Sequence, residues 1–567
     1  MTDSGSNQPN GAEAMVRMLE LHGVTHIFGL CGDTSLPFYD ALHRLNHGMR
    51  HILTRDERCA AYMADGYARI SGKVGVCEGP SGGGATYILP GVVEANESSV
   101  PILSITSDVS TTSHGRYPLT ELDQTALFRP LTKWNGVIDS AGRLPQMVRT
   151  AFRAMTTGRP GAAHLGLPYD VQQAPTPEAE IWAQPELGQY PAWPVAADAA
   201  AVKDATDALL SAKNPIVICG GGVVIAGAEA ELDRLARRLD LTIATTISGQ
   251  GSLADSHPNM LGVVGSNGGT MATRQVVEAA DLVMFIGCRA GSVTTERWRF
   301  PTAAVRVLHI DIDPMVISAA YRTEVGVVGD ARLALAQINA ELDQRAAEPP
   351  QFGGRGRVAI AKAKKFDEFA KLAASDERPI RPERVIAELN RILPDDAIVV
   401  ADPGTPCPYV SGYYEFRRPG RLFISNRAHG ALGYSMAAAV GAHYARPDAK
   451  VVALMGDGSF GFTSGELETI VRNKLPITMV VFSNAVFGWI KAGQKHGFDE
   501  RYFSVDFSRT DHAAVAEAYG VKAWKVEDPA DLAGVLAKAT ESGEPTLVDV
   551  IAQPLQDAKA PVSEWVA

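Results

Sequence analysis

Val451-Val-Ala-Leu-Met-Gly-Asp-Gly-Ser-Phe460 and, one helix-length later, Ile477-Thr-Met-Val-Val-Phe-Ser-Asn484 form the stretch from which the fold is read. The runs 451–455 and 477–483 are apolar and of strand length, and the segment 464–474 between them reads as a helix. Ligands of α/β sheets collect at the carboxyl ends of strands. Asp457 and Asn484 stand there side by side if the two strands are neighbours. Gly456 and Gly458 allow the backbone to approach phosphate oxygens closely. One carboxylate, one neutral carbonyl and ligand phosphates are what an octahedral Mg²⁺ favours. The stretch therefore reads as a divalent cation clamped onto a diphosphate.

Working outward, 567 residues exceed one hydrophobic core, and three domains is the natural count. Hydrophobic content of 46% and charged content of 21% are those of an ordinary globular protein. A net charge of −11 argues against a nucleic-acid partner, which needs a basic face. Cys31, Cys59, Cys77, Cys219, Cys288 and Cys407 form no CxxC pair. That pattern argues against a zinc site or a disulfide framework and suits a reducing compartment. The first residues are polar without an apolar signal core, and no apolar run reaches the roughly 18 residues of a membrane helix. The expectation is a cytoplasmic protein with no membrane partner.

Strands alternate with helical stretches, which predicts an α/β fold of three doubly wound parallel-sheet domains. The first covers 8–175, with strands at 25–29, 74–78 and 102–107 and helices at 12–22 and 57–71. A Pro-rich linker at 172–194 follows. The second covers 195–345, with strands at 215–219, 242–245, 282–286 and 305–310. A break rich in Pro and Gly at 348–357 precedes the third domain, 376–555. Its strands are placed at 397–401, 450–455, 477–482 and 546–550. The first and third domains share size and rhythm, which hints at related folds.

Four separated signals now carry a resemblance. They are Gly456-Asp-Gly458 with Asn484, Glu57 within Thr54-Arg-Asp-Glu-Arg-Cys-Ala-Ala-Tyr-Met-Ala-Asp-Gly-Tyr-Ala-Arg69, Gly75-Val-Cys-Glu-Gly-Pro-Ser-Gly-Gly-Gly-Ala-Thr86, and His309-Ile-Asp-Ile-Asp-Pro314. Over about 10–555 the chain resembles the thiamine diphosphate (ThDP) enzymes, in their acetolactate synthase-like branch. It is also similar to 2-oxo acid decarboxylases and 2-hydroxyacyl-CoA lyases.

The resemblance implies a pyrimidine-binding first domain, a Rossmann-like middle domain and a diphosphate-binding third domain. The cofactor then lies across a subunit interface, which implies a homodimer at minimum and a homotetramer by extension. It implies Glu57 as the carboxylate against the aminopyrimidine ring; a first-turn Glu also suits a helix N-terminus in its own right. Asp457, Asn484 and the Val486 main-chain carbonyl are the implied Mg²⁺ ligands. Pro80, Gly404, Thr405, Gly456, Gly458, Ser459, Phe487 and Gly488 are the further implied cofactor contacts. Leu432, in His429-Gly-Ala-Leu-Gly433, is matched to the bulky residue that props the bent cofactor and is grouped with the catalytic set. His114 and Arg116 in the loop 110–123 reach for a substrate carboxylate, with His114 a catalytic candidate. Gly32, Asp33, Leu127, Phe128, Trp489 and Ile490 are the implied substrate pocket.

Departures from the pattern leave the substrate open. Gly493 and Thr120 stand where acetolactate synthases keep Trp and Gln. Arg289-Ala-Gly-Ser-Val293 replaces their Arg-Phe-Asp-Asp-Arg, so an FAD site, an ADP-type site and an empty Rossmann-like domain all stay open beside Gly220–Gly222. Lys491, Lys495, His496 and Arg501 follow the site as either an anion-binding group or a solvated face. A carboligase acting on a 2-oxo acid, a decarboxylase, and a lyase or transferase of 2-hydroxyacyl-CoA or sulfoacetaldehyde type share one cofactor chemistry. A non-catalytic family member is the alternative from another class.

Overall fold

A computed structural model describes residues 8–345, 348–558 and 560–562; the polar N-terminal stretch up to residue 7 lies outside them. Three six-stranded sheets carry the fold, and every strand pairing within them is parallel. The first contains β1 (His26–Gly29), β2 (Arg50–Leu53), β3 (Gly75–Gly79), β4 (Ile102–Asp108), β5 (Trp134–Val137) and β6 (Ala163–Pro168), in the order β2-β1-β3-β4-β6-β5. The second contains β7 (Pro215–Cys219), β8 (Thr242–Thr245), β9 (Met260–Val263), β10 (Leu282–Ile286), β11 (Arg306–Asp311) and β12 (Val325–Val328), in the order β12-β11-β10-β7-β8-β9. The third contains β13 (Ile398–Ala401), β14 (Phe423–Ser425), β15 (Val451–Gly456), β16 (Ile477–Ser483), β17 (Lys522–Val526) and β18 (Thr546–Ile551), in the order β14-β13-β15-β16-β18-β17. The first and third sheets repeat one strand order, and the middle sheet has the order of a Rossmann fold.

The chain divides into two compact bodies. One gathers the residues up to Trp193 with Ala428–Asp448 and Thr463–Asn473; the other gathers Pro194–Arg427, Ala449–Phe462 and the residues from Lys474 on. In the first body the helix Glu57–Ser71 starts at Asp56, whose side chain accepts from Arg58 N–H, and stops at Gly72 in the left-handed region. Almost all of this helix is buried, because a second helix, Ser435–Ala445, lies against it. The approach is backbone to backbone: a Cβ on Gly441 would fall 1.9 Å from the Met63 carbonyl oxygen, and one on Gly66 would fall 2.3 Å from that of Ala438. Only glycine fits such a crossing.

Two segments differ from the sequence reading. The stretch 172–194 is no free linker. The helix Tyr169–Gln173 runs into it, Asn10 bridges Pro175, Gln189 bridges Lys73, and Tyr190 OH donates to Ala68 O at 2.9 Å. Its apolar residues Leu187, Tyr190 and Ala192 are buried, which outweighs the proline signal. Likewise the break at 348–357 already contains the start of a 20-residue helix, Gly354–Ala373. Gly354 there abuts the Asp240–Leu241 backbone at 2.4–2.5 Å from its would-be Cβ, so the glycine serves contact rather than a turn.

Candidate active site

The second body carries a candidate site of its own at the carboxyl ends of β13, β15 and β16. Register places Ala401 beside Leu454 and Gly456 beside Phe482, so Asp457 and Asn484 leave neighbouring strands together. The helix Asp457–Thr463 begins at Asp457 itself, ahead of the helix expected at 464–474. The buried Asp457 carboxylate is gripped by main chain. Its Oδ1 accepts from Gly458 N–H at 2.9 Å, and its Oδ2 accepts from Asn484 N–H at 2.8 Å and Ala485 N–H at 2.6 Å. Burial pushes this carboxyl up, against the pull of those three donors. Asn484 Oδ1 accepts from Val486 N–H at 3.3 Å, and Ala485 between them is held at φ +56°. The Phe487 N–H to Val505 O and Phe507 N–H to Ala485 O bonds then pin 485–487 to 505–507.

Space for a ligand follows from the glycines. A Cβ on Gly456, or on Gly404 at φ +101°, would meet nothing within 4 Å, so both faces are open. Gly488 lies 3.6 Å, from its would-be Cβ, to Thr405 Oγ1, bringing the β13 loop and the helix Gly488–Gly497 together. Thr405 and Ser459 are buried with their hydroxyls at these strand ends. A cavity of about 190 Å³ borders Asp457, Ser483 and Asn484 on the side of Arg509, His512 and Lys525. Among the described residues no three His, Cys, Asp or Glu side chains are grouped to hold a metal. A cation here depends on Asp457, the Asn484 amide and a main-chain carbonyl, a donor set that fits Mg²⁺. Phe487 packs edge-on against Phe507 at 5.2 Å, Trp489 is half-buried and Ile490 is exposed.

In the first body, further sequence-predicted residues gather at the carboxyl ends of β1, β3 and β4. Glu57 opens its helix and is buried. Burial raises its carboxyl first of all, and the negative charges of Asp56 and Glu78 add to this. Gly32 sits against Pro80, 2.4 Å from its would-be Cβ, and Asp33 is exposed at the start of the turn Asp33–Ser35. The turn carrying Leu432 is tied down by Glu94, which accepts from His429 N–H at 2.7 Å, and by Tyr434 OH donating to Asp65. Arg69 pairs with both acids, at 2.8 Å to Asp65 and 3.0 Å to Glu94.

The substrate-side residues scatter more. His114 and Arg116 stand in an exposed loop, His114 paired to Glu121 at 3.4 Å. Leu127 is half-buried. Phe128 is fully buried and stacked on His164, with ring centroids 3.5 Å apart, so it is a core residue rather than a pocket wall. In the middle sheet, Gly220 and Gly222 press on Gly287, their would-be Cβ atoms 2.1 Å and 2.6 Å from its backbone. Close packing against Gly287 is what requires glycine at Gly220 and Gly222.

Three groups went unread in the sequence. Thr34, Ser81, Ser107 and Thr120 form a hydroxyl chain with links of 2.7–3.0 Å. Tyr39, His51 and Glu78 cluster near Glu57. Ser483, His512 and Asp549 lock the end of β16 from below, with Ser483 Oγ 2.9 Å from His512 Nδ1. Each joins residues far apart in the chain, so no local spacing announces it; only the placement of Glu78 and Ser81 inside the glycine-rich motif was a signal.

Comparison with known proteins gives a consistent result. The family described as thiamine pyrophosphate enzyme, N-terminal TPP binding domain, matches residues 9–127; the central domain matches 202–338; the C-terminal TPP binding domain matches 402–550. The chain is 35% identical to a probable acetolactate synthase large subunit of Methanococcus aeolicus, covering 96% of this chain and 92% of that protein. It is 34% identical to the corresponding probable subunit of Methanocaldococcus jannaschii, with the same coverage. It is 32% identical to the acetolactate synthase isozyme 3 large subunit of Escherichia coli K12, over 94% of this chain and 92% of that one.

Proposed function

Because the chain belongs to the thiamine pyrophosphate enzyme family, in its acetolactate synthase-like branch, we propose that it is a Mg²⁺-dependent carboligase acting on a small 2-oxo acid or related carbonyl compound. The observation that carries this reading is the Asp457 carboxylate, held by three N–H groups beside Asn484 at paired strand ends. Bound ThDP supplies a nucleophilic carbon and an electron sink. The chain's own residues hold it and manage protons. Asp457, Asn484 and the Val486 carbonyl would hold Mg²⁺, and Gly404, Thr405, Gly456, Gly458, Ser459, Phe487 and Gly488 would surround the diphosphate. Glu57 would face the pyrimidine ring beside Pro80 as its proton-exchanging group, and Leu432 would pack against the cofactor. Arg116 and His114 meet the substrate's carboxylate, His114 serving as a proton donor, and Gly32, Asp33, Leu127, Trp489 and Ile490 line the approach. Domains at 8–175, 195–345 and 376–555, a homodimer or homotetramer, and a cytoplasmic setting go with this reading.

One observation favours a substrate unlike that of the named relatives. A Cβ on Gly493 would meet nothing within 4 Å, so the helix Gly488–Gly497 leaves room for a larger acceptor, or for lyase or decarboxylase chemistry. The test is purified protein with ThDP, Mg²⁺ and a panel of pyruvate, longer 2-oxo acids, aldehydes and 2-hydroxyacyl-CoAs. The expected result is cofactor-dependent CO₂ release coupled to a hydroxy-ketone product with at least one 2-oxo acid. An inert panel speaks for a non-catalytic member.

A further inference from the structure

Loop 110–123, which carries His114 and Arg116, is fastened near both ends. At its start Thr111 N–H donates to Asp170 Oδ1 at 3.0 Å, and the Thr111 hydroxyl donates to Asp170 Oδ2. Toward its end a file of four hydroxyls reaches the loop from the sheet. Ser107 Oγ, on β4, lies 2.7 Å from Thr34 Oγ1. Thr34 Oγ1 lies 3.0 Å from Ser81 Oγ, and Ser81 Oγ lies 2.7 Å from Thr120 Oγ1. Thr120 Oγ1 in turn donates to the Leu119 carbonyl. Ser107 and Ser81 are buried, Thr34 is half-buried and Thr120 is exposed, so the file passes from core to surface.

Counting hydrogens fixes its direction. A carbonyl only accepts, and each hydroxyl has one hydrogen to give. The Thr120 hydrogen goes to Leu119, so Ser81 donates to Thr120. Thr34 then donates to Ser81, and Ser107 to Thr34. No other assignment makes all four bonds. Ser81 N–H also donates to Thr34 Oγ1, at 3.2 Å, which ties the middle of the file to the main chain. Hydroxyls aligned in this way polarise one another, so the links strengthen together.

Thr120 is a residue that needs holding. Its φ of +71° is an outlier for a β-branched side chain. Such a conformation persists where its surroundings over-determine it. Gly82 permits the close approach: a Cβ there would fall 2.7 Å from Thr120 Cβ. Tyr117 and Leu119 are 96% and 89% exposed, so their side chains do not hold the loop down. Glu121, the next residue, passes the hold on to the loop's chemistry. Its Oε1 accepts from Gly115 N–H at 2.7 Å and lies 3.4 Å from His114 Nδ1.

Resting on the reading of His114 and Arg116 as the groups that meet the substrate's carboxylate, we propose that Thr120 is a positioning residue: the directed file Ser107–Thr34–Ser81–Thr120 latches loop 110–123 and, through Glu121, sets His114 for the substrate. Thr120 touches no reacting atom in this account.

The experiment is limited trypsin digestion of the cofactor-free full chain, with cleavage after Arg116 followed by mass spectrometry and cleavage outside the loop as the control for folding. Thr120→Val keeps the branched shape and removes the hydroxyl. Cleavage after Arg116 is expected to quicken about fivefold, the net worth of one hydrogen bond, because proteolysis follows the population of the opened loop. Ser81→Ala is expected to act alike, and the double variant to fall short of the product of the two effects. Thr120→Ser is expected to restore the wild-type rate. With ThDP, Mg²⁺ and a turned-over 2-oxo acid, Thr120→Val is expected to raise KM about fivefold with ThDP affinity unchanged. Unchanged cleavage in both single variants, no rescue by Thr120→Ser, effects that multiply in full, or faster cleavage with an unchanged KM each overturn the proposal. A chain inert toward every carbonyl substrate sinks the carboligase reading and leaves the cleavage rates to decide the latch, so the two failures are distinguishable.

Discussion

Glu57→Gln is expected to lose about 10²–10⁴-fold in turnover while the chain keeps its fold and its metal-dependent cofactor binding. Glutamine preserves the size of a side chain packed over Gly79 but cannot pass a proton to a ring nitrogen. Stability moves the other way. Burial raises the Glu57 carboxyl, so its contribution to the folded state is full below the unfolded pKa and is lost as pH rises through the folded one. Removing the charge removes that loss, and the thermal midpoint at neutral pH should hold or rise. Loss of turnover with an unchanged or higher midpoint is the signature; near-normal turnover would remove Glu57 from the chemistry.

Asp457→Ala should abolish cofactor retention through a different step. Losing a group that only hydrogen-bonds a metal ligand costs about 10–100-fold in metal affinity, and a direct ligand that also ties down Gly458, Asn484 and Ala485 should cost more than about 100-fold. Titration of ThDP at fixed Mg²⁺, followed by intrinsic tryptophan fluorescence, checks this. Equal ThDP affinity in the variant and the wild type would remove Asp457 from the metal site. Asn484→Ala should weaken binding less, since the Asp457 grip on the 484–485 main chain survives.

The fold was legible where apolar runs are long and buried on both faces. Strands β7, β8 and β10 fall at their expected residues; all are fully buried, and β7 and β10 read as the near-continuous apolar runs of buried parallel strands. Seven strands were passed over: β2, β5, β9, β12, β14 and β17, all at sheet edges, and β6 beside one; in β2, β5, β12 and β17 exposed or half-buried positions mix polar residues or glycine into the run. The helix Gly354–Ala373 hid behind Gly-Arg-Gly at its start. In the site, Asp457, Asn484 and Glu57 were legible because they follow strands or open a helix at short, fixed spacings. Phe128 was misplaced because its partner, His164, sits on β6, which the sequence reading did not place. The Tyr39–His51–Glu78 cluster was invisible for the same reason: it needs β1 paired with β2 on one side and β3 on the other.

The measurement that bears most directly on the account is a crystal structure grown with ThDP and Mn²⁺ in place of Mg²⁺, located by its anomalous signal. The account predicts one strong peak within about 2–2.5 Å of oxygens from Asp457 and Asn484. It also predicts a Glu57 carboxyl within about 3 Å of a pyrimidine nitrogen of the same cofactor. Manganese held elsewhere, or ThDP bound with no contact to Asp457 or any Glu57, would contradict it.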